Sequence, residues 1–123
     1  MLALLAALSL QHPAGPCPRP WAAAAAAHVE AGWRAYRQGA VRAAEAARSF
    51  AAADSLCPGD HGAQVGLGFV LLRQGRPAEA EERFARAVVT DSSDADAWYG
   101  LGLARARRGW RAQAVVAWQR ALR

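Results

Sequence analysis

The fold class this sequence predicts is all-α, a solenoid of antiparallel helix pairs, and three observations predict it. Apolar residues recur at helical spacing, and the β-branched alternation of strands is absent. Alanine, the strongest helix former, dominates from residue 22 onward. Above all, the chain repeats itself. Placing Gly68 on Gly102 brings Gly75 onto Gly109, Ala80 onto Ala114, Phe84 onto Trp118 and Ala87 onto Ala121, a fixed period of 34 residues.

Along the chain, residues 1–10 form an apolar run with the length of a secretory h-region, too short to span a bilayer. No basic residues precede it, and His12, Pro13 and Pro16 occupy the places where a cleavage site is expected. Pro16 also breaks the lipoprotein pattern before Cys17. The expectation is export to the periplasm or cell envelope, with a cytoplasmic chain as the alternative. Residues 11–20 hold four prolines and read as an extended linker, so residues 1–20 stand apart from a repeat domain at 21–123.

The repeat units run over about 25–58, 61–94 and 95–123, with helices expected at about 22–38, 43–56, 61–74, 77–90, 94–108 and 111–122. In the first unit Gly32 and Gly39 keep the spacing of Gly68/Gly75 and Gly102/Gly109. Its second half (Ala46, Phe50, Ala53, Leu56, Pro58) is displaced by two residues, which a longer turn through 40–43 absorbs. Gly39, Gly75 and Gly109 suit the ends of the first helices, and Pro77 the first turn of a second one. Asp60 is a cap for the middle unit, and Ser93 with Asp96 resembles a capping box. Small residues at Gly68, Gly102, Ala80 and Ala114 let paired helices approach, while Phe84 and Trp118 fill the space between pairs. The third unit stops within its second helix. A fragment of a longer array is therefore expected, or else a cover for Val115, Val116, Trp118 and Leu122.

The net charge of +5 is unevenly spread. All ten acids lie in residues 1–96 against nine arginines, whereas residues 97–123 carry six arginines and no acid. The chain has no Lys, Ile or Asn, as codon bias toward G and C would produce, which weakens the basicity as a sign of nucleic acid. Cys17 and Cys57 fit no metal or redox motif. They read as two thiols with no shared role, although an oxidising compartment would let them pair. His12, His28 and His61 lack ligand-spaced partners, the serines lack a nucleophile-elbow context, and no phosphate loop is present. Neither catalysis nor a metal or cofactor is expected.

The third unit, Ala97-Trp98-Tyr99-Gly100-Leu101-Gly102 followed by Gly109, Ala114, Trp118 and Ala121, resembles the tetratricopeptide repeat family. Departures are Ala35, Leu71 and Arg105 where an aromatic is usual, and Ser92 where Pro closes a unit. The resemblance implies a right-handed superhelix and a non-catalytic scaffold that binds a protein or peptide in a concave groove lined by the first helices. In this frame Val29, Val65 and Tyr99, then Trp33, Phe69 and Leu103, then Tyr36 and Leu72 share that face. Arg37, Arg73 and Arg107 stand one step further round. An aromatic groove beside an arginine column suits a peptide with apolar anchors and acidic flanks. The plainer alternative is that these arginines complement helix dipoles and the apolar residues pack on neighbouring helices. The family's clamp for acidic C-termini uses Lys and Asn where Val29 and Trp33 stand, so that clamp is not expected. Two other readings remain open: nucleic-acid or anionic-surface binding through the arginine-rich third unit, and self-association through the last helix.

Overall fold

The computed structural model describes residues 17–123, so the apolar run and most of the linker lie outside the described residues. Within them six helices follow one another: α1 (Trp21–Arg37), α2 (Ala43–Leu56), α3 (His61–Arg73), α4 (Pro77–Thr90), α5 (Ala95–Arg107) and α6 (Arg111–Ala121). A 3-10 turn at Ala40–Arg42 takes up the two extra residues of the first unit. The helices form an all-α right-handed solenoid of antiparallel pairs. Each helix packs on the next, and α1 with α3 and α3 with α5 also touch directly. The second helices make no comparable contact with one another among the described residues. The stack therefore curves, with α1, α3 and α5 on its inner side.

Local chemistry sets the ends of these helices. After α3, the Gly75 N–H donates to the Leu72 carbonyl and the Arg76 N–H to that of Leu71. This double return needs a left-handed residue, and Gly75 supplies it at φ 74°. Gly109 repeats the arrangement after α5, with φ 83°. Asp60 caps α3 by accepting from the Ala63 N–H. The cap of α5 is Asp94, which accepts from the N–H groups of Asp96 and Ala97, and not Ser93 as the capping-box reading has it. Ser93 instead donates from its hydroxyl and its N–H to Asp91, holding that exposed carboxyl below its usual range.

The core is a row of aromatic knobs seated in glycine notches. Phe50, Phe84 and Leu101 are among the fully buried side chains. A Cβ placed on Gly32 or Gly66 would stand 2.6 or 2.3 Å from the Phe50 ring. On Gly68 or Gly100 it would stand 2.6 or 2.2 Å from the ring of Phe84. Each phenyl ring is thus wedged between the first helix of its own unit and that of the next. Gly66 and Gly100, the second wall of each notch, are the residues that make neighbouring units fit. The ring has no room to retreat. Gly100→Val should therefore destabilise the fold by about 2 kcal/mol in urea denaturation despite a better helix former at that site. Phe84→Leu in the same chain should return part of the loss, and additive effects would show that the two do not meet.

Polar links reinforce both junctions. Buried Gln64 donates to Asp54 and accepts from Arg83, tying α3 to α2 and α4. At the second junction Glu81 of α4 receives Arg105 of α5 at 3.5 Å and Arg108, the residue that follows α5, at 2.6 Å. His61 at the start of α3 pairs with Asp94 at the start of α5, 2.5 Å apart.

The two cysteines are not independent thiols: Cys17 and Cys57 form a disulfide across 40 residues. Spacing along the chain carries no hint of this. Folding α1 back along α2 brings the start of α1 beside the α2–α3 turn, and buried Cys57 packs there with Ala25, Ala53 and Ala63. The described end of the linker is consequently tied to the domain.

Candidate groove on the inner helices

The inner helices carry bulky residues where they face the hollow of the stack, because the small residues of α1, α3 and α5 are spent on the notches behind. Trp33 is the hub. Its ring meets Tyr36 edge-on at 5.4 Å, Phe50 at 5.1 Å and Phe69 at 6.0 Å. Phe69 meets Phe84 at 4.9 Å, so the aromatic surface is continuous with the core behind it. A rigid apolar floor follows.

An open depression of about 520 Å³ lies over this floor, lined by Tyr36, Phe69, Leu72, Arg73, Tyr99, Leu103 and Arg107. Three helices contribute to it. Tyr99 is half exposed, and Phe69 and Leu103 are partly buried. Leu72 is buried and serves as packing at the edge. A second, smaller hollow of about 400 Å³ is lined by Trp33 and Arg37 together with Glu30 and Arg34. Those last two were not among the residues expected, although they stand three before and one after Trp33 on the same helical turn.

Two of the expected groove residues are placed differently. Val65 is closed off in the core with Leu72, Phe84 and Leu101, so it offers nothing to a ligand. Val29 packs half-buried against Ala25, Ala53 and Cys57. Val29 also lies against Gly62 at the start of α3, whereas Tyr99, at the equivalent position of α5, stays half exposed.

The arginines do two things at once. Arg73 donates to the Tyr36 carbonyl at 2.6 Å and stacks over the Tyr36 ring, 3.5 Å from its centroid. Arg107 repeats the move on the Leu72 carbonyl, at 2.5 Å. Each guanidinium thereby caps the C-terminal carbonyls of the preceding first helix, where a cation is favoured. Arg73 and Arg107 remain exposed and line the larger depression. Arg37, with no first helix before it among the described residues, is exposed in the smaller hollow.

Four of the six arginines of the basic third unit make contacts within the fold. Arg105 and Arg108 pair with Glu81, Arg107 bonds to Leu72, and Arg120 stacks over Trp98. Among the described residues no group of His, Cys, Asp and Glu is arranged to hold a metal ion.

Comparison with known proteins fits this architecture. The model of the family described as tetratricopeptide repeat matches residues 29–88 and again residues 65–123. Among solved structures the chain is similar to the second such domain of Spaghetti (RPAP3), bound to the HSP90 peptide SRMEEVD. The two are 18% identical, with 80% of this chain and 90% of that one aligned at a TM-score of 0.74. No curated protein matches this chain.

Proposed function

Since the chain belongs to the tetratricopeptide repeat family, we propose that it is a non-catalytic scaffold holding a peptide or partner protein in the groove of its inner helices. The observation that carries this reading is the depression itself. Three successive first helices join an aromatic floor, two tyrosines and two guanidiniums in one open surface. Such a surface takes an extended or helical segment with apolar anchors and carboxylates nearby. That the similar domain of Spaghetti was solved with a peptide supports this use of the fold. Its mode of holding the peptide is not carried over, because Val29 and Trp33 replace the Lys and Asn of the family's clamp. The internal engagement of Arg105, Arg108 and Arg120 weighs against nucleic acid as the ligand.

The disulfide supports export, because such bonds persist outside a reducing cytosol. With the apolar run at 1–10, it favours the periplasm or cell envelope as the place of action.

Peptide selection on the full chain tests the groove. Enriched peptides should carry an aromatic or aliphatic anchor with Asp or Glu close by. Tyr99→Ala and Arg37→Ala, both at exposed positions, should each weaken the best of them about tenfold, roughly 1.4 kcal/mol. Peptides without acids, or affinities unmoved by both variants, would overturn the proposal.

A further inference from the structure

A second surface lies along one edge of the stack. The turns within each pair, after α1, α3 and α5, all open on this edge, and the turns between pairs open on the other. Contacts between helix ends fix both edges. Arg73 and Arg107 reach the last carbonyls of the preceding first helix, while His61 and Asp94 join the starts of α3 and α5. The within-pair edge is made of turns inside the units, so it is present wherever the chain starts or stops.

Charge divides between the two edges. Residues 34–48, 70–82 and 104–116, which make the within-pair edge, hold ten arginines against four acids. The rest of the chain holds five arginines against six acids, and all five aspartates are there. Codon bias can favour arginine over lysine, but it does not sort charge by position. Ion pairing leaves the excess in place. Arg42 and Arg76 each meet one glutamate, Arg105 and Arg108 share Glu81, and Arg73 and Arg107 bond to neutral carbonyls. Helix dipoles do not account for the excess either, because exposed Arg111 opens α6 at the end where a cation is disfavoured.

Two apolar side chains project from the same edge. Val41, in the turn after α1, is 95% exposed. Trp110, just before α6, is 41% exposed, with the Arg108 guanidinium stacked on its ring at 3.9 Å. A valine offers a nucleic acid nothing to pair with or stack on. Apolar tips among arginines instead match a lipid headgroup layer, where tryptophan and arginine both settle.

We infer that this edge seats the domain on an anionic lipid bilayer, with Val41 and Trp110 entering the headgroup layer and the arginines meeting its phosphates. The inference does not rest on what the groove holds.

Co-sedimentation of the full chain with vesicles tests this. Vesicles containing phosphatidylglycerol should retain it about tenfold better or more than phosphatidylcholine alone, and added salt should weaken that binding. Val41→Glu with Trp110→Glu should cost about tenfold on the anionic vesicles, with circular dichroism melting confirming an intact fold. Val41→Glu alone, at a side chain that is almost fully exposed, should cost part of it. Arg120→Ala with Arg123→Ala, at the other edge, changes the net charge by the same amount and should leave binding nearly unchanged. Equal retention on the two kinds of vesicle, or none on either, would overturn the inference, as would equal losses in the two double variants. So would tighter binding of a DNA duplex than of the anionic vesicles.

Discussion

Replacing Phe84 by Ala is expected to remove about 4 kcal/mol of stability, the upper range for truncating a buried aromatic. A domain of this size has roughly 5–15 kcal/mol in total, so one side chain holds a large share of it. The reason is position. Phe84 is fully buried, touches the backbone of both α3 and α5 at their glycines, and carries Phe69 on its edge. The two glycine walls have no side chains that could move into the space. The damage should also be lopsided, since repeat arrays are held by nearest-neighbour contacts. Trp98, Trp110 and Trp118 lie in the third unit, so tryptophan fluorescence reports mainly on it. In guanidinium titrations of Phe84→Ala the fluorescence transition should precede the circular dichroism transition, whereas in the parent chain they coincide. A loss under about 1 kcal/mol, with coincident transitions, would contradict this account of the junction.

The second large effect concerns the disulfide. Closing a 40-residue loop restricts the unfolded chain by about 4 kcal/mol in the entropic estimate, and about 3 kcal/mol is a reasonable expectation once residual structure is allowed for. Reductant should lower the melting temperature of the parent chain by roughly 10 °C or more. Cys17→Ser with Cys57→Ser should melt at that lower temperature and ignore reductant. A parent chain indifferent to reductant would mean that the loop closes just as well without the bond.

Much of the architecture could be read from residue order alone, because a period is a one-dimensional property. The 34-residue frame located the helices to within one residue at each end, since Gly75 and Gly109 leave the helix no choice but to stop. Depth was harder to read. Val65 and Phe69 share one face of α3 by spacing, yet Val65 is sealed among Leu72, Phe84 and Leu101 while Phe69 stays partly open, a difference made by neighbours distant in the chain. The dual role of Arg73 and Arg107 depended on which carbonyls the preceding helix leaves within reach, and no spacing rule supplies that. The pairing of Cys17 with Cys57 needed the fold itself. Gly66 and Gly100 were visible at the same period but lay outside the matched set, although each stands 16 residues after a buried phenylalanine.

The Cys17–Cys57 bond also decides how the molecule carries load. Tension arriving through the residues before Cys17 crosses the sulfur bridge and enters the domain at the α2–α3 turn. The segment between the two cysteines, which includes all of α1 and α2, is bypassed. While the bond is oxidised, a pull on the leading end is felt first at the boundary of the first and second units. Once it is reduced, the same pull peels α1 away from its outer end. A chain tethered by its leading segment would thus keep its first helix pair, and the Trp33 hub with it, in place under strain.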